Sequence, residues 1–144
     1  MFVTIDMLLD KEVGAGASVE AVKFASQTLD VHLPDDYKAF LVKYGWARLL
    51  RDEFYGVGEN VPKHLDLITN TTSERTAFRP YLPVYLVPVL PDGAGNHYCL
   101  DVSRSSAGIC PVVFWDHEEG ETQRPQDIAV SFSDWMVSHI STQS

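Results

Sequence analysis

The rhythm of apolar and polar positions changes twice along this chain, from a helical period to an alternating one and back again. Val19, Val22, Ala25 and Leu29 recur at near-helical spacing behind Ser18, whose hydroxyl suits a helix N-cap. His32-Leu33-Pro34 breaks that helix. Pro34 suits the first position of a second one, and Asp35 and Asp36 in its first turn favour the positive end of the helix dipole. Tyr37, Phe40, Leu41 and Tyr44 follow at i, i+3, i+4 and i+7, a one-faced stripe, and Gly45 supplies a left-handed cap. Ahead of this helix pair, Gly14-Ala15-Gly16-Ala17 reads as a flexible breaker.

After Gly45 the period shortens. Trp46 to Leu50 and Phe54-Tyr55 are short β-prone pieces with Asp52-Glu53 as a turn between them, and His64 to Thr72 reads as a short helix. Three strands follow: Val84 to Leu90, His97 to Val102 and Pro111 to Asp116. Pro88 inside the first argues for an edge or a bulge, because a proline cannot donate to the ladder. Pro91-Asp92-Gly93-Ala94-Gly95-Asn96 is rich in residues that tolerate positive φ, as a hairpin loop requires. Alternation puts Tyr98, Leu100 and Val102 on one face, with His97, Cys99 and Asp101 on the other. Thr122 to Asp127 reads as loop. Phe132, Trp135, Met136 and Ile140 restore the helical period, with Ser131 or Ser133 as cap. Helices bracketing hairpin-joined strands predict an α+β fold: an antiparallel sheet of about four to six strands with helices packed around it.

At 144 residues the chain has the size of a single domain that can bury a core without staples. No apolar run approaches the roughly 20 residues of a membrane helix. The N-terminus lacks the lysines and unbroken apolar stretch of a secretory signal, so the cytoplasm is the expected compartment. Charge changes the picture more. The net charge is −9, and residues 92–144 hold 8 acids against only Arg104 and Arg124, so −6 of it falls in the last third. Such a surface repels nucleic-acid phosphates and anionic membranes, neither of which is an expected partner, and it attracts basic proteins.

Candidate chemistry is sparse. Asp101, Asp116, His117 and Glu118 could serve a metal or acid–base work, but no His-x-His or Cys-x-x-Cys spacing accompanies them. A thiol dyad of Cys99 or Cys110 with His97 or His117 would need an electropositive setting, and this stretch is the most acidic in the chain. Both cysteines read as small buried hydrophobes. The reading therefore assigns no catalytic residue, no metal and no cofactor. Trp46 and Trp135 read as core residues. Trp115 shares a strand face with Val113, which favours burial; exposed, it would be an aromatic anchor beside the acidic tip.

Leu33-Pro34-Asp35-Asp36-Tyr37-Lys38-Ala39-Phe40-Leu41, closing on Tyr44-Gly45-Trp46, resembles the opening helix pair of the SUKH superfamily, in its Smi/Knr branch. Val87-Pro88-Val89, the Gly95-Asn96 turn, Cys99-Leu100-Asp101, Val113-Phe114-Trp115-Asp116-His117-Glu118 and Phe132-Ser133-Asp134-Trp135 resemble the rest of that pattern, from about Val19 to Ile140. The resemblance implies a bacterial immunity protein that neutralises a cognate toxin domain by binding it, with a basic nuclease as the leading partner. The alternative is a regulatory scaffold like the yeast branch. The resemblance transfers no site residues. Charge density alone nominates Asp92, Asp116, Glu118 and Glu119 for the interface, with Tyr98 or Trp115 nearer its centre. Either a monomer or a weak homodimer through the strand at Pro88 fits.

Overall fold

The computed structural model describes residues 1–143, and within them five α-helices accompany two antiparallel sheets. Two early elements escaped the periodicity: a one-turn helix α1 (Phe2–Asp6) and a three-residue strand β1 (Lys11–Val13). Helix α2 (Val19–Leu29) starts where Ser18 Oγ accepts the Ala21 amide at 3.1 Å, and it ends in left-handed Asp30. Val22, Ala25 and Leu29 are buried, but Val19 is 55% exposed and leaves the predicted stripe. It belongs to the first turn, where the helix has not yet reached the core.

Helix α3 (Asp35–Tyr44) has Pro34 as its N-cap, one residue short of the expected position. All four residues of its stripe are buried, and Gly45, at φ 78°, closes it by donating its amide to Leu41. The chain then forms β2 (Ala47–Leu49) and β3 (Asp52–Phe54), which pair antiparallel, with β1 on the far side of β2. The turn falls at Leu50-Arg51, not at Asp52-Glu53, and Leu50 takes a positive φ of 57° to make it. Helix α4 (Leu67–Thr76) is capped by the Asp66 carboxylate, which accepts the Thr69 amide at 2.8 Å.

The second sheet runs β4 (Leu86–Pro91), β5 (His97–Asp101), β6 (Val112–Trp115) and β7 (Gln126–Ala129), in that order and antiparallel throughout. Pro88 lies on edge strand β4 beside a register shift between Pro88 and Leu90, as its missing donor demands. Part of the stretch read as loop, Gln126 onward, is the outer strand β7. Helix α5 (Phe132–Gln143) closes the chain, and Ser131 is its cap, accepting the Asp134 amide at 3.1 Å. The α+β expectation holds, with seven strands in two sheets instead of four to six in one. The strands beyond those expected are β1, too short to show alternation, and β7, in the stretch read as loop.

The main core sits between α3, α5, β3 and the inner face of the second sheet. Phe40 centres it, edge-on to Phe132 at 5.5 Å and Phe54 at 6.4 Å, and Trp135 extends it to Phe54 at 5.8 Å. Leu82, Leu86, Cys99, Val113 and Trp115 form a smaller cluster on the sheet's other face.

An acidic sheet end as the candidate site

Antiparallel pairing sets His97 opposite Pro91 on one side and Trp115 on the other, so the loops after β4 and β6 leave the same end of the sheet. Asp92 organises the first loop. Its carboxylate accepts the amides of Ala94 and Asn96 at 2.8 and 3.1 Å and the Asn96 side-chain amide at 2.9 Å. Partial desolvation opposes ionisation, but these hydrogen bonds win and hold the Asp92 carboxyl below the usual range. Asp116 does the same for the second loop, accepting the Glu118 amide at 2.9 Å as the cap of a single 3-10 turn, His117–Glu119. Gln123 fastens that loop from within, donating to the carbonyls of Asp116 and Gly120 at 2.6 and 2.8 Å.

One side chain joins the loops. Asn96 Oδ1 lies 3.0 Å from the backbone amide of His117 and 2.6 Å from its Nδ1, so a single oxygen holds both main chain and ring. Gly95 makes the approach possible: at φ 95°, a Cβ there would stand 2.9 Å from the imidazole. The structure thus brings Asp92, Asp116, Glu118 and Glu119 to one end of the sheet. Glu118, Glu119 and Glu121 are exposed, whereas Asp116 is half-buried.

The two aromatic nominees part company. Tyr98 is half-buried, with its ring among Phe114 at 5.1 Å, Trp135 at 5.3 Å and His139 at 5.7 Å. Trp115 is 1% exposed in the smaller cluster, so it cannot present its indole to a partner, and the anchor role proposed for it is corrected. The strand face it shares with Val113 is covered by α4 and the segment leading to β4, a roof that periodicity does not reveal.

The chemical alternatives separate as well. Asp101 donates its amide to Pro111 at the opposite end of β5 from Asp116, so the proposed acid pair is never assembled. Asp101 instead holds Arg104 Nε at 2.9 Å, and Arg104 reaches on to Asp127. Among the described residues no group of three His, Cys, Asp or Glu side chains is placed to hold a metal. Burial pushes the Cys110 thiol up to about 12 and the Cys99 thiol well above its ordinary value, the reverse of an activated nucleophile.

A polar chain that sequence reasoning missed lies behind the acidic end. Tyr55 Oη is 3.2 Å from His97 Nε2, while among the described residues His97 Nδ1 has no hydrogen-bond partner and sits 3.5 Å from Glu74 Oε1. Desolvation lowers the His97 pKa to about 4, with Asp92 pulling weakly upward, and desolvation also raises that of Glu74. Glu74 comes from α4, 23 positions before His97, and no local spacing signals that meeting.

A helix pair, an antiparallel sheet with an acidic end and a closing helix make up an α+β domain. The chain belongs to the SMI1-KNR4 cell-wall family, SUKH_5, whose model matches residues 3–141. It is similar to the SPbeta prophage-derived uncharacterized protein YokK of Bacillus subtilis (strain 168), with 25% identity over 123 residues, covering 69% of this chain. The match spans 62% of that relative's length.

Proposed function

We propose that this chain is an immunity protein that binds and neutralises a toxin domain through the acidic end of its second sheet. The observation that carries the reading is the pair of braced loops that gathers Asp92, Asp116, Glu118 and Glu119 in a chain of net charge −9. A nuclease toxin presents a basic surface to phosphate; an acidic protein can occupy that surface, block substrate and speed encounter. An inhibitory interface of ordinary size would take about 800 Å² from each partner. Such obstruction requires no turnover, cofactor or metal, and it acts in the cytoplasm where the toxin arrives. No helix of the described residues is long and apolar enough to cross a membrane, which is compatible with that site of action.

The structure also decides which acids to change. Asp92 and Asp116 hold their own loops, so reversing them would disturb the site's shape along with its charge. Glu118, Glu119 and Glu121 are exposed. Converting these three to lysine is expected to slow association with a cognate toxin domain by about tenfold and to flatten its salt dependence. Co-expression supplies the larger test. Protection from that toxin, with a complex isolated from the same cells, supports immunity; no protection and no complex would overturn it.

A further inference from the structure

On a different part of the surface, the N-terminal end of α2 and the segment before it border a groove at the edge of the main core. Ala17, Ala21 and Phe24 line this groove of about 610 Å³ together with the loop from Ala15, Trp46 and the segment Val57–Val61, with Ile68 of α4 closing it. Phe24 is 62% exposed, and the Trp46 indole is only partly buried against Gly14, where a Cβ would stand 2.6 Å from Nε1. Small residues deepen the floor: a side chain at Gly16 would meet the Val42 carbonyl, and one at Gly45 the Val57 carbonyl. Its charge is one-sided. Glu59 and Asp66 line it, and among the described residues no lysine or arginine does.

We infer that this groove is a docking site for a polypeptide segment that presents an aromatic or aliphatic side chain flanked by lysine or arginine. The volume suits one or two large side chains, within the ordinary range for pockets that bury a ligand. Phe24, Trp46, Val61 and Ile68 supply apolar contact, and the carboxylates of Glu59 and Asp66 complement flanking cations. Asp66 is held in place by Thr69, whose amide and hydroxyl donate to Oδ2 at 2.8 and 2.7 Å, so one of the two charges is preorganised. The inference goes beyond the acidic sheet end, because it assigns an apolar anchoring point that neither Trp115 nor the loops provide. It holds whether or not the partner is a toxin.

The test uses the full chain, isotope-labelled, with two blocked tetrapeptides as probes: Lys-Leu-Phe-Lys and its acidic counterpart Glu-Leu-Phe-Glu. The basic peptide is expected to shift the Trp46 indole N–H and the Gly16 and Gly58 amides at millimolar concentration, and the acidic one to leave them unmoved. Phe24→Ala and Glu59→Lys, both at exposed positions, are each expected to weaken binding by about fivefold. A triple Glu118, Glu119 and Glu121 to lysine variant is expected to bind the peptide as before, which separates the groove from the sheet end. Equal shifts with both peptides, shifts confined to residues 92–96 and 116–121, or no shifts at all would overturn the inference.

Discussion

The two faces of the second sheet are buried by opposite means. On the inner face, Tyr98, Leu100 and Val112 meet the aromatic side chains of α5 and the core around Phe40. On the outer face, His97 and Cys99 lie beneath α4, and Leu82, Leu86, Val113 and Trp115 add apolar area around Cys99. That roof brings buried polar atoms with it: Thr71 Oγ1, Arg75 Nε and His97 Nδ1 find no hydrogen-bond partner among the described residues. Arg75 nonetheless ties α4 down, donating to the carbonyls of Leu29, Val84 and Leu86. One face is closed by packing and the other by packing plus a polar network left partly unsatisfied, which is costly in a low-dielectric interior. The inner face should therefore carry more of the stability, and the outer face more of its dependence on conditions.

The largest effect should come from the inner side. Phe40→Ala removes a fully buried ring with four aromatic neighbours and is expected to cost about 3–5 kcal/mol in urea unfolding, whereas Leu82→Ala should cost about 2 kcal/mol because its loop can relax. Equal losses would erase the contrast.

Acid should act through the outer side. The folded state keeps His97 neutral down to about 4, while the unfolded chain binds that proton near 6.5, so stability present above 6.5 is lost as pH falls from 6.5 toward 4. The loss amounts to about 3 kcal/mol at most, and the raised Glu74 carboxyl opposes it, since its protonation relieves a buried charge as pH falls. Urea midpoints taken across that window should fall less in His97→Gln than in the parent; an unchanged slope would move the effect to another group.

The smallest effect belongs to the rim. Hydrogen bonds from Arg104 hold the Asp127 carboxyl below its usual range, yet the pair is exposed, and Asp127→Asn should cost under about 1 kcal/mol, fading with added salt. A larger loss would mean that this pair anchors β7 to the sheet.

What could be read beforehand follows the same division. The helix pair was legible because Ser18, Pro34, Gly45 and the Tyr37-to-Tyr44 stripe each act within one or two turns. Strands β4 to β6 were legible because alternation and the loop at Asp92–Asn96 agree. Strand β1 is three residues long, shorter than the period-two signal needs; β2 showed only as a β-prone piece, β3 begins at the Asp52-Glu53 pair read as a turn, and β7 is exposed along most of its length, so it showed no buried face. Charge density picked out acids that do share one end of the sheet, but not the difference in task between Asp92 or Asp116, which brace loops, and Glu118 or Glu119, which face solvent. Trp115 failed as an anchor because its burial depends on α4, a long-range contact. The Tyr55–His97–Glu74 chain was invisible for the same reason.

Asn96 deserves a last thought for anyone re-engineering this surface. Because its one oxygen grips His117 by both backbone and ring, residues 92–96 and 116–121 are mechanically a single unit. A graft of this sheet end would have to carry both segments together, since a transplanted half would arrive without its clasp.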